Sequence, residues 1–130
     1  MIIPSLAAGL AQLQALANFI DQGSSNATFV FYEDTKPTDV TVAANNSAKL
    51  VTLTIPKPCF KKLNSDNIEL HQTDAATVTK TGAATWARLL NGDGDAVADF
   101  AVGTDIILAN PSLIIGSTLM MNSIILRPST

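Results

Sequence analysis

The chain is short of the residues that staple, charge or metallate a small domain. Cysteine occurs once, as Cys59, so no disulfide can form within the chain. One cysteine and one histidine (His71) cannot assemble a Cys/His zinc cluster. Aromatic residues make up 5% and charged residues 15% of the chain, against 47% hydrophobic. So little charge over so much apolar side chain implies that partner subunits cover part of the surface. The 8 basic residues against 11 acidic give a net charge of −3, and Lys61-Lys62 is the only adjacent basic pair. Without a basic stripe to neutralise phosphates, nucleic acid is excluded as a partner. Long hydrophobic runs are missing too. Residues 1–20 are apolar-rich, but no Lys or Arg precedes them and Gln12, Gln14 and Asn18 interrupt them. A signal peptide wants a basic start, and a membrane span wants about 20 apolar residues. The segment therefore reads as a helix of the mature protein, and no membrane is expected as a partner.

What is present reads as one domain over residues 1–130, a helix in 1–23 followed by a β-sandwich or jelly roll in 27–130. The expected class is mainly β with one N-terminal α-helix. Ser5 is the expected N-cap, and Leu6, Leu10, Leu13, Ala17 and Ile20 recur at helical spacing, with Leu16 and Phe19 widening the stripe. Gly23 is a natural stop. In ATFVFYED, Phe29 and Phe31 alternate with Val30 and Tyr32, a strand apolar on both faces. In KLVTLTI, Val51, Leu53 and Ile55 point one way and Thr52 and Thr54 the other. Pro56 and Pro58 then call for an edge or a crossover. Shorter strands are expected over 59–63, 67–70, 76–80 and 105–108, and a long final strand over 118–126. Gly116 is expected at a bend or bulge. Turn signals every 8–12 residues or so point to a sandwich or jelly roll.

Residues 82–103, GAATWARLLNGDGDAVADFAVG, read as a β-hairpin with an acidic turn. Two registers compete. A loop over 92–95 sets Arg88 opposite Asp99, and a loop over 91–95 sets Trp86 opposite Phe100. The first is favoured, because a charge pair lowers the cost of keeping either charge among apolar neighbours.

Motifs that carry chemistry are sparse. Cys59, between Pro58 and Phe60, reads as a small buried side chain, and a free thiol suits a reducing cytoplasm. His71 reads as a surface imidazole, and no G-x-S-x-G elbow supports a nucleophilic triad. Asp93, Asp95 and Asp99 invite a calcium reading, but no glutamate closes a 12-residue loop, so a solvated hairpin tip is expected. Trp86 and Tyr32 would stack sugars only if exposed, and core positions are expected for both. No catalytic residue, metal or cofactor is expected, and the chain is not read as an enzyme.

Three stretches carry a resemblance. The first is the helix leading into ATFVFYEDTKPTD, the second is KLVTLTIPKPCF, and the third is the hairpin with Trp86, Arg88, the Asn-Gly-Asp-Gly turn, Asp99 and Val102-Gly103. With the final Ile-Gly-Ser-Thr-Leu segment, they resemble a family of small virion structural proteins of tailed phages and prophages. The resemblance implies a non-enzymatic role, first as a capsid decoration or cement protein binding across capsomers, second as a neck or tail component. It implies the major capsid protein, copies of the chain itself, or both as partners, and residence in the virion after synthesis in the bacterial host cytoplasm. Pro56-Lys57-Pro58-Cys59 and His71 depart from the simpler members. Leu6, Leu10, Leu13, Leu16 and Ile20 are the candidate interface, and Arg88 with Asp99 the candidate structural pair. A carbohydrate-binding or adhesion module is the reading from another class.

Overall fold

Helix α1 spans Leu6–Ile20 and starts where Ser5 holds an extended conformation and its hydroxyl accepts the Ala8 N–H at 3.2 Å. That bond satisfies one of the donors a first helical turn leaves orphaned. The computed structural model describes residues 5–104, 106, 108, 110–121 and 124–126. Gly9, Ala17 and Ile20 are buried along one face of α1, with Leu10, Leu13 and Leu16 half-buried beside them. The helix ends at Asp21, whose N–H still reaches the Ala17 carbonyl at 3.1 Å. A carboxylate is unfavourable at the negative end of a helix dipole. Here it accepts the Cys59 N–H at 3.0 Å, which offsets that cost and ties the helix end to a distant loop.

Among the described residues the strands are β1 (Thr28–Tyr32), β2 (Lys49–Thr54), β3 (Phe60–Leu63), β4 (Ile68–Leu70), β5 (Ala76–Thr77), β6 (Gly82–Ala83), β7 (Trp86–Leu90), β8 (Ala96–Ala101), β9 (Ser112–Leu113), β10 (Thr118–Leu119) and β11 (Ile124–Leu126). They form a four-stranded sheet β2-β1-β7-β8, a three-stranded sheet β11-β4-β3, and two ladders, β10-β5 and β6-β9. Every named pairing is antiparallel, and none of these sheets closes into a barrel.

The four-stranded sheet follows from the period-2 pattern. Phe29 and Phe31 lie between Leu53 and Val51 of β2 and Leu89 and Ala87 of β7, all facing the main core. Val30 and Tyr32 face the other way and join Trp86 and Ala48 in a second, smaller cluster. The main core also takes Ala17 and Ile20 from α1, Ile68 and Leu70 from β4, and Ile124 from β11. Each large aliphatic side chain so buried contributes about 1.5–3 kcal/mol.

Pro56 and Pro58 lie where the chain leaves β2, an edge of the four-stranded sheet, for β3, an edge of the three-stranded one. The strand expected over 76–80 is regular only to Thr77: Val78 still faces the 112–119 segment, and the Thr79 N–H turns to β2. Val78 bonds to the Ser117 carbonyl and Thr79 to the Leu50 carbonyl. The long final strand expected over 118–126 is corrected to two short strands in different sheets, β10 beside β5 and β11 beside β4. Between them Thr73 holds Met121, its N–H donating to the Met121 carbonyl at 3.0 Å and its hydroxyl accepting the Met121 N–H at 2.9 Å. Of the strand expected over 105–108, Asp105 and Ile107 lie outside the described residues, and Ile106 makes an isolated parallel bridge with Val102.

Candidate interaction surface

β7 and β8 pair with Arg88 opposite Asp99, the favoured register, but the loop is the longer one over 91–95: Leu90 pairs with Ala96, and an irregularity between Leu89 and Leu90 takes up the extra residue. Arg88 grips Asp99 through both carboxylate oxygens, Nε to Oδ1 at 2.7 Å and Nη2 to Oδ2 at 3.1 Å. The two side chains are only 7% and 5% exposed. The hydrogen bonds from Arg88 to Asp99 raise the guanidinium pKa further above its ordinary value.

The pair continues an aromatic column on the same sheet face. The Arg88 guanidinium lies 5.3 Å from the centre of the Trp86 ring, within cation–π range, and Tyr32 stacks on Trp86 at 4.4 Å and 17°. The indole N–H donates to Asp34 Oδ1 at 2.7 Å. Trp86 is 0% and Tyr32 3% exposed, so neither ring is open to a sugar. Burial raises the Tyr32 hydroxyl pKa above its usual value. The column is therefore a built structural element beneath the segment that carries Asp34, Ala44 and Ala48.

The hairpin tip does not stand free. The Asn91 side chain accepts the N–H groups of Asp93 and Asp95 at 3.1 and 3.0 Å, shaping the turn. Gly92 is in backbone contact with the α1–β1 connection at Gln22 and Ser25, and Gly23 of the same connection meets Gly92 and Asp93. Lys57 donates to the Gly23 carbonyl, adding a third segment to this junction. Asp93 and Asp95 are exposed there while Asp99 is drawn to Arg88. Among the described residues no three His, Cys, Asp or Glu side chains converge as a metal-ligand set.

Cys59 is fully buried, with its thiol donating to the Ala17 carbonyl at 3.5 Å. Burial, reinforced by the nearby Asp21 carboxylate, pushes its pKa up to about 12, so the thiolate is absent at neutral pH. His71 follows β4 and is half-buried, its backbone N–H bonded to the Cys59 carbonyl at 2.8 Å. No helix among the described residues is long and apolar enough to cross a membrane.

No protein-family model, curated protein or solved structure matches this chain.

The five apolar positions proposed for contact divide on that surface. Ile20 is fully buried in the protein's own core, and Leu10, Leu13 and Leu16 pack against it, while Leu6 is 45% exposed. The most exposed large apolar side chains lie elsewhere. Ile114 and Ile115 are each 62% exposed on a turn between β9 and β10. The signal for them was a gap in the charge pattern. Residues 1–20 and 106–126 contain no Asp, Glu, Lys, Arg or His.

Proposed function

We propose that this chain is a non-enzymatic structural protein of a phage virion, most specifically a capsid decoration protein that stabilises the head by binding across capsomers. The observation that carries the docking role is the placement of exposed apolar side chains. Of the nine large ones exposed among the described residues, six fall in the two charge-free runs: Leu6, Phe19, Ile114, Ile115, Met120 and Ile125. Some charged groups elsewhere are spent on internal ties, such as Arg88 to Asp99 and Lys80 to Glu33. The motif resemblance supplies the virion. A protein that binds the assembled shell but not its separated parts stabilises the shell by mass action.

We read the architecture as a β-sandwich. In support, one face of the four-stranded sheet and residues of the three-stranded sheet share one apolar core. A jelly roll of eight strands in two Greek keys fits less well, since four strands lie in two-stranded ladders.

Quantitative mass spectrometry of particles from the source phage tests the function. Copies in simple ratio to the major capsid protein, on the order of hundreds on a symmetric shell, are expected. A few copies to a few dozen would move the chain to the neck or tail. Absence from the particle would overturn the virion reading.

A further inference from the structure

We infer that Asn91–Gly92 is a deamidation site held shut by the folded hairpin, so that opening of the tip is recorded as an irreversible covalent change. The site rests on this chain alone and stands or falls apart from the virion reading.

The chemistry lies in the sequence. Asn91–Gly92 is the only Asn-Gly pair in the chain. A glycine has no β-carbon, so its main-chain nitrogen reaches the preceding asparagine amide with the least hindrance. That nitrogen gives its proton to a base in the solvent and bonds to Asn91 Cγ. The Cγ–Nδ2 bond breaks, and Nδ2 leaves as ammonia, taking up a proton in place of the one released. One water then opens the five-membered imide. Cleavage of its nitrogen from Cγ gives aspartate, and cleavage from the main-chain carbonyl carbon gives isoaspartate. No oxidant, reductant or cofactor enters.

The fold withholds the motion this needs. Ring closure turns Asn91 about its main chain and swings its side-chain amide onto the Gly92 nitrogen. Both main-chain groups of Asn91 are already bonded, its N–H to the Asp95 carbonyl at 2.9 Å and its carbonyl to the Gly94 N–H at 3.0 Å. Its side-chain oxygen is fixed by the N–H groups of Asp93 and Asp95. Gly92 lies against the backbone of Gln22 and Ser25 and has no room to follow. Asn91 is 3% exposed, which keeps solvent base from the amide.

The same packing rejects the products. Asn91 Nδ2 has no hydrogen-bond partner among the described residues. Aspartate would put a second carboxylate oxygen in its place, a buried charge without a donor. Isoaspartate would add an atom to the main chain where Gly92 already touches Ser25. A tip that has opened and reacted therefore does not close as it was.

The test incubates the purified chain at mildly alkaline pH, native and in guanidinium, and follows residue 91 by peptide mapping with mass spectrometry. The denatured chain should convert to aspartate and isoaspartate. The native chain should convert at least about tenfold more slowly, because reaction waits on local opening. The Asp93 and Asp95 amides, released by the same opening, should be protected from hydrogen exchange. Low guanidinium should speed their exchange and the conversion together. Asn91→Asp should have a lower thermal midpoint than wild type. Equal conversion in native and denatured chains, or none in either, would overturn the site. Freely exchanging Asp93 and Asp95 amides beside slow conversion would overturn the closed hairpin as its guard. An Asn91→Asp chain as stable as wild type would overturn the irreversibility.

Discussion

Gly92 approaches Ser25 so closely that a β-carbon on it would stand 2.1 Å from the Ser25 carbonyl oxygen. The Gln22 carbonyl oxygen would be 2.6 Å away. Both obstacles are backbone atoms, which cannot rotate aside. Gly94 sits two residues later with open space around it but φ +86°. Gly92→Ala should therefore cost about 2–3 kcal/mol through overpacking, and Gly94→Ala only about 1–2 kcal/mol through backbone strain. Urea titration of the two variants checks the order, and a larger loss at Gly94 would contradict the close approach.

The Arg88–Asp99 pair predicts a non-additive cycle. Arg88→Met leaves a buried carboxylate without its partner and should cost about 3–5 kcal/mol. Replacing both residues, Arg88→Met with Asp99→Leu, should recover most of that loss, because two apolar side chains need no compensating charge. Additive losses in chemical denaturation would mean that the two charges do not depend on each other.

Trp86 reports on the second cluster directly. Acrylamide should quench its fluorescence weakly in the native protein and strongly in denaturant. Asp34→Ala leaves the indole N–H without its acceptor and should lower stability by about 1–3 kcal/mol. Strong quenching of the native protein would place the ring at the surface.

Cys59 carries a pH signature. Its pKa in the folded chain is about 12 against an ordinary 9.0, so the folded form favours the neutral thiol. Below pH 9 the thiol is protonated in both states and adds no slope. Between about pH 9 and 12 the unfolded chain ionises first, so stability falls as pH rises. Cys59→Ala should reduce that alkaline slope, as followed by thermal denaturation at stepped pH. Thiol reagents at pH 8 should react with the native protein only slowly.

Local chemistry made α1 and the hairpin readable. Ser5 marks the helix start, and one positive and one negative side chain in apolar strands select a register. Phe29 and Phe31 alternating with Val30 and Tyr32 announced a strand packed on both sides. Other features depend on residues distant in sequence. Asp34 reaches Trp86 across 52 residues, and Thr73 breaks the final strand at Met121 across 48. The ladders β5–β10 and β6–β9 are two residues long and too short for any period to register. Of the two glycines in the hairpin turn only Gly94 uses the left-handed region, and Gly92 serves close backbone contact with residues distant in sequence. On the surface, apolar periodicity favoured the helix, where burial had already claimed Ile20. The isoleucines of the 114–117 turn interrupt a ribbon instead of repeating along an element.

The strand order also governs when the chain can fold. β1 receives β7 only after residue 90 has been made, and β4 receives β11 only at residue 126. A nascent chain emerging from the ribosome therefore holds the two phenylalanines of β1 without their second neighbour until β7 has followed. Pairings so far apart in sequence raise the contact order and slow the collapse to the native state. During that interval the exposed strands are open to the wrong partners. Lys61 and Lys62 on edge strand β3 guard against such pairing with other copies, in the nascent chain and in the finished sheet alike.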